Sequence, residues 1–287
     1  MAETIMKIKV SHENTYSYNS PVFLESHIIR LYPRNNPNLI IKKGGIKILP
    51  EPQCITNYID TEGNSVTQVW FNNLTTFLTI NSNFEVETLD SNPFDFCTDP
   101  LGLGFPFEYD SNTKKSLEHY LEKTPILDQD FLRFIDSIEK GCNQNVITFL
   151  IHLTQALNEK LTYKIREEGE SYLPEYTFKQ QIGTCRDFTV LFIEICRQKG
   201  LASRFVSGYK YNEEPEEKYY LHSWAEVYVP GGGWRGFDPT AGIAVDENYI
   251  PLAASYNPQN TTPILGHTRG NNIKTSFETG IDLRSQK

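Results

Sequence analysis

The hydrophobic pattern changes period once along the chain. From Met6 to about Cys97, apolar and polar positions alternate in short runs, the signature of half-buried strands, at residues 7–10, 15–18, 27–31, 46–49, 65–71, 77–80 and 84–87. Pro, Asn and Gly clusters at 33–37 and 60–64 separate them. Short strands at this spacing predict an antiparallel β-sandwich of about 95 residues. Residues 98–112 are rich in Pro, Gly and Phe and mark a boundary, after which the period becomes helical over 113–123, 128–139 and 145–163. The pattern divides the chain into an N-terminal β-rich domain over 1–105, a connection over 106–128 and a second domain over 129–287.

The second domain is organised around residues 183–200. Phe188, Leu191, Phe192, Ile195 and Cys196 recur at helical spacing, Val190 and Ile193 widen the apolar surface, and Gly200 supplies a stop. A helix this apolar is mostly buried. Thr184 reads as its N-cap, which puts Cys185 in the first turn, where unpaired N–H groups and the helix dipole favour an anion. A thiol there is readily held as thiolate. The competing reading is a small buried hydrophobe, the ordinary fate of a free cysteine.

Strands follow at 203–211, 219–229 and 234–240, the last two joined through a turn at 230–233. Period two sets His222, Trp224, Glu226 and Tyr228 on one face of their strand. With the turn centred near 231 and 232, Asp238 lies across from about residue 225, so a stagger of one to three residues brings it beside His222. Thiol catalysis requires a base to accept the thiol proton and a third group to fix the ring. Cys185, His222 and Asp238 can fill those roles. His12, His27, His152 and His267 read as structural, and Glu226 as a polar residue at a sheet edge.

Composition narrows the partners. The 287 residues carry a formal net charge of −9, which argues against a nucleic-acid or anionic-membrane surface. Acidic stretches at 167–170 and 213–217 read as solvated loops, with steering of basic peptides as the alternative. The five cysteines are odd in number and form no C-x-x-C pair, so neither a redox motif nor a zinc framework is indicated, and reduced thiols are expected. Cys185 and Cys196 lie roughly 16 Å apart along one helix, too far to bridge. With no apolar h-region near Met1 and no apolar run long enough to cross a bilayer, the expected compartment is the cytoplasm. The sequence leaves oligomeric state open and points to no cofactor or metal.

Four motifs in order carry a resemblance. Gly183-Thr184-Cys185-Arg186-Asp187-Phe188, residues 200–209, His222-Ser223-Trp224-Ala225-Glu226-Val227-Tyr228 and Gly233-Trp234-Arg235-Gly236-Phe237-Asp238-Pro239-Thr240 resemble the transglutaminase-like superfamily, in the bacterial branch described as candidate cysteine proteases. The match is close over 145–250. Upstream, His12, Thr15, Tyr16, Tyr18, Pro21, Leu31, Pro33, Arg34, Pro50, Asp60, Gly63 and Asn64 are similar to the β-rich domain that precedes the core in that branch. The segments 249–256 and 263–266 resemble the end of the core, where a final strand or two closes the sheet.

The resemblance implies an α+β chain, an N-terminal antiparallel β-sandwich followed by a papain-like core in which a buried helix packs on an antiparallel sheet. By motif position it makes Cys185 the nucleophile, His222 the base and Asp238 the orienting acid, acting on a peptide or protein substrate. The thioester would pass to water in a peptidase and to an amine in a cross-linker; a non-catalytic scaffold is the reading from a different class. Many relatives carry Gln where this chain has Arg186, a cation beside the thiol that bears on substrate preference. Gln181 or Gln180 is a candidate second oxyanion donor, and Trp224 a shield for the ion pair or part of the acyl site. Asp187 is assigned a structural role.

Overall fold

The computed structural model describes residues 5–89, 92–97, 104–166, 169–214 and 218–286. Residues 98–103 of the expected boundary stretch lie outside them. The N-terminal half contributes β1 (Ile5–Ile29), β2 (Leu39–Leu49), β3 (Cys54–Ile59), β4 (Ser65–Trp70) and β5 (Leu74–Leu89). Then come α1 (Ser111–Ser116), a 3₁₀ turn (Glu118–Leu121), α2 (Gln129–Lys140), α3 (Val146–Lys160), β6 (Thr162–Tyr163), α4 (Pro174–Gln180), β7 (Ile182–Gly183) and α5 (Cys185–Gln198). The chain continues through β8 (Ser203–Lys210), β9 (His222–Val229), β10 (Gly233–Asp238), β11 (Ile243–Ala244), β12 (Tyr249–Ser255), β13 (Ile264–Arg269) and β14 (Thr275–Gln286). Among the described residues, no helix is long and apolar enough to cross a membrane. All five cysteines are free thiols.

The runs expected at 7–10 and 15–18, and the first three residues of 27–31, are parts of one 25-residue strand, β1. Its inward positions are even-numbered through Ile8, Val10, His12, Asn14, Tyr18, Val22 and Leu24, then odd at His27 and Ile29. A bulge between Leu24 and His27 accounts for that change of phase, since one extra residue moves every later side chain to the other face. The strands hydrogen-bond as one seven-stranded antiparallel sheet in the order β2-β5-β1-β4-β3, with β13 and β14 also on β1.

That pairing corrects the expected division of the chain. Residues 264–286 fall in the segment assigned to the second domain, and 263–266 were expected to close its sheet, but β13 and β14 return to the N-terminal sheet. Alternation shows that a run is a strand; it does not say which sheet takes it. Only β12 closes the second sheet, whose order is β11-β10-β9-β8-β12.

Helices α3 and α5 cover one face of this second sheet, and α2 packs against α3. Phe131, Ile135, Phe149, Leu153, Phe188, Leu191 and Phe192 pack there with Ala225, Val227, Val229 and Phe237. The N-terminal sheet's core takes in Tyr209, Ile250 and Leu252, so β8 and β12 are held by both halves of the molecule. Polar contacts fix the junction: Asn64 donates to the Ala254 carbonyl (2.9 Å) and accepts from its N–H (2.7 Å), and the Arg34 N–H donates to the Pro251 carbonyl (3.0 Å).

Candidate active site

The start of α5 is built around a buried carboxylate. Thr184 is the N-cap, and Asp187 accepts from its N–H (2.7 Å) and hydroxyl (2.9 Å), closing the first turn. The other oxygen of Asp187 accepts from Arg166 (2.9 Å) and from the Tyr172 N–H (2.6 Å). One side chain thus fixes both the helix tip and the 166–172 loop, which is the structural role expected of it. Gly183 is required beside it, because a Cβ there would lie 2.7 Å from the Asp187 Cβ. Cys185 is the first helical residue, 8% exposed.

The hairpin of β9 and β10 brings His222 and Asp238 together. Phe237 pairs with Ala225, so Asp238, one residue on, falls level with Trp224 and diagonal to His222 on the same face. The His222 Nε2 donates to Asp238 Oδ2 at 2.7 Å. The same imidazole and the Ser223 hydroxyl both act on the ionisation of the Cys185 thiol. With Nε2 engaged by Asp238, Nδ1 is the nitrogen left for sulfur.

Asp238 is fully buried and saturated. Oδ1 accepts from the N–H groups of Thr240 (2.9 Å) and Ala241 (3.2 Å), while Oδ2 accepts from His222 and from the Tyr249 hydroxyl (2.8 Å). Lys210 Nζ stands 3.9 Å from Oδ2. Burial opposes its charge, but His222, Tyr249 and Lys210 outweigh burial and hold the carboxyl below its ordinary value.

Two further shifts follow. Burial disfavours the imidazolium, yet the charge and hydrogen bond of Asp238, reinforced by Cys185, push His222 up to about 10. Burial likewise works against the thiolate, and the hydrogen bond and charge of His222, with the Ser223 hydroxyl, bring the Cys185 thiol below its ordinary value. Both shifts run toward a thiolate–imidazolium pair. Cys196, on the same helix, is the contrast: burial pushes its thiol up and no imidazole offsets that.

The remaining sequence candidates behave differently. The Arg186 guanidinium donates to the carbonyls of Gly169 (2.9 Å) and Arg166 (2.8 Å), so it ties down a loop where a cation beside the thiol was expected. Trp224 is 1% exposed; its ring stacks on His222 at 6.5 Å between centroids and meets Tyr249 edge-on at 5.2 Å. It packs against the imidazole, buried. Gln181 takes a left-handed conformation (φ 55°) that ends α4, its carbonyl accepts from the Thr162 N–H (2.8 Å), and its side chain is exposed. Glu226 is not at a sheet edge: β9 has β8 and β10 on either side, and Glu226 pairs with Arg204 at 2.6 Å. Residues 167–168 and 215–217 of the acidic loops lie outside the described residues.

Sequence reasoning missed Tyr249 and Ser223. Tyr249 carried one usable signal, a tyrosine in an otherwise apolar buried strand, whose hydroxyl needs a partner. Ser223 carried none beyond its place next to His222.

Comparison with known proteins matches both halves of the chain. The core of the transglutaminase-like superfamily matches residues 133–239, and the bacterial transglutaminase-like N-terminal region matches residues 8–87. Similar proteins include ML0607 of Mycobacterium leprae, 22% identical over 91% of this chain and 92% of its own. Mb2599c of Mycobacterium bovis is 24% identical over 96% of this chain and 92% of its own. Both are described as uncharacterized. The solved structure of a "Putative Cysteine Protease from Cytophaga hutchinsonii" superposes with a TM-score of 0.71 at 18% identity, over 99% of this chain and 92% of that one, and so shares the fold. With both domain families matched in order and the fold shared from end to end, this chain belongs to the transglutaminase-like superfamily, in the branch that carries the bacterial N-terminal region.

Proposed function

We propose that the protein is a thiol-dependent hydrolase of peptide or related amide bonds. One observation carries the reading: the imidazole that acts on a cysteine at a helix tip donates at 2.7 Å to a fully buried carboxylate. The Cys185 thiolate attacks the amide carbonyl, and the Cys185 N–H, in the first turn where no intrahelical acceptor exists, donates to the oxyanion. The C–N bond breaks as the His222 imidazolium gives its proton to the leaving amine. Water then attacks the thioester, losing a proton to the imidazole, and the carboxylic acid leaves as the thiolate–imidazolium pair is restored. Asp238 fixes the ring throughout. Gln181 is the candidate second donor to the oxyanion.

The test is alkylation with iodoacetamide at graded pH, read by mass at Cys185, in the unmutated protein and in the Cys185→Ala and His222→Ala variants. Labelling of Cys185 well below the ordinary thiol range is expected, with a profile that moves up in His222→Ala. Labelling that follows an ordinary thiol and ignores His222→Ala would sink the proposal and favour a non-catalytic scaffold. A peptide library screened with and without an added amine then reads the acceptor: release of free acid supports hydrolysis, while transfer to the amine would reassign the protein as a cross-linker.

A further inference from the structure

Asp238 Oδ2 serves two donors at once, and only one of them belongs to the catalytic set proposed above. The second is the hydroxyl of Tyr249, at 2.8 Å, on a strand that enters the sheet from the far side of β8. Tyr249 is 4% exposed, and burial first, then the charge of Asp238, pushes its phenol far above the ordinary value. It therefore stays protonated, and its proton lies on the carboxylate. The ring is clamped between Trp224 (5.2 Å) and the His222 imidazole (6.2 Å), with Lys210 Nζ 5.5 Å from its centroid. Register fixes this placement, since Tyr249 pairs with Lys210 and Gly208 pairs with His222.

We infer that Tyr249 is a positioning residue that sets the basicity of His222 by sharing Asp238 Oδ2. The inference rests on the proposed thiol chemistry. A carboxylate oxygen that accepts a strong hydrogen bond from a phenol presents less charge to a second donor. Tyr249 thus restrains the rise that Asp238 imposes on the imidazole. The restraint has a chemical use: an imidazolium held too tightly is a poor acid toward the leaving amine, and one held too loosely leaves the thiol protonated. The charged or titratable groups around the ring are Cys185 from α5, Asp238 from β10, and Tyr249 and Lys210 reaching Asp238 from β12 and β8. Lys210 bears on the same oxygen at 3.9 Å, beyond hydrogen-bonding distance, so it is a weaker version of the same restraint.

The experiment reads the His222 titration by NMR of the imidazole and by the alkaline step in the iodoacetamide profile of Cys185. Tyr249→Phe keeps the ring and removes the hydroxyl. The His222 step is expected to move to higher pH, by about half a unit or more. Should Tyr249→Phe fail to fold, 3-fluorotyrosine placed at 249 keeps the shape and makes the phenol a stronger donor, and the step is then expected to move down. A purely structural tyrosine would lower the denaturation midpoint in Tyr249→Phe and leave the step in place in both proteins. That result overturns the inference, as does a downward shift in Tyr249→Phe. If the unmutated protein shows no lowered thiol at Cys185, the catalytic proposal itself has failed; if it does and neither substitution moves His222, only the role of Tyr249 has.

Discussion

At Cys185 and His222 the same contact that would serve catalysis also shapes stability. Unfolded, the imidazole loses its proton near 6.5 and the thiol near 9.0; folded, the imidazole keeps its proton to about 10 and the thiol loses its own below its ordinary value. Wherever the folded thiol is ionised and the unfolded one is not, the folded pair holds its proton on His222 and the unfolded pair holds its proton on Cys185. Between pH 6.5 and 9 the lowered thiol thus offsets the raised imidazole, so the pair gives stability less slope with pH than His222 alone would. Cys185→Ala removes one side of the balance. His222 remains raised by Asp238, the folded state then holds the extra proton, and stability should fall with rising pH by about 1.4 kcal/mol per unit. Urea midpoints of the two proteins across this window give the difference directly, with every other titrating group cancelled. Parallel curves would mean that His222 is not raised in the fold.

Between elements, the close approach of strands sets the site. Gly208 lies opposite His222, and a Cβ there would fall 2.2 Å from the Ile250 carbonyl oxygen, 2.7 Å from the Trp224 ring and 3.0 Å from the Pro251 Cα. Two of those three atoms are backbone and cannot turn aside, so β12 must move. Gly208→Ala is expected to cost about 2 kcal/mol or more and to shift the Cys185 alkylation profile upward, because Trp224 and Tyr249 both bear on the imidazole. A variant with unchanged urea midpoint and profile would show that β12 does not hold the site. The meeting of His222 with Asp238 was legible in the sequence because a hairpin register can be counted from its turn. Tyr249 was not, because its contact crosses from a strand separated by β8 and β9 from the hairpin partner, and no local count reaches that far. β3 escaped for a different reason: all six of its residues are exposed, so it shows no alternation. The break expected within β5, between 80 and 84, is absent because Asn81 and Asn83 continue the pairing with β1.

Across the whole molecule, β1 and β14 pair with each other, and β1 touches the half that carries Cys185. β1 pairs with β14 from Lys7 to Tyr18, and within that stretch His12 faces inward, 2% exposed. Its Nδ1 contacts the Tyr209 hydroxyl of β8 at 2.8 Å, and its Nε2 contacts the Thr279 hydroxyl of β14 at 3.1 Å. Three remote segments converge on one imidazole, which explains why a histidine with no partner by motif sits in the core: its partners lie 197 and 267 residues away. Burial, against a smaller opposing hydrogen bond from Asn14, lowers this ring from 6.5 to about 4. Between those values the unfolded chain binds the proton and the folded protein does not, so stability rises with pH through the window; it is fully present above 6.5 and is lost as pH falls toward 4. The loss is on the order of 3 kcal/mol. His12→Asn keeps a hydrogen-bonding group near Nδ1 and cannot titrate. The variant should be less stable than the unmutated protein at pH 7, and the gap between their urea midpoints should close as the pH approaches 4. Because Tyr209 belongs to the strand that carries Gly208 and flanks His222, acid should also disturb the site before the helical core melts, visible as a change in Cys185 alkylation ahead of the loss of helical circular dichroism. If both signals fall together in the unmutated protein and the gap to His12→Asn does not vary with pH, His12 is a passive part of the packing and the coupling between the halves lies elsewhere.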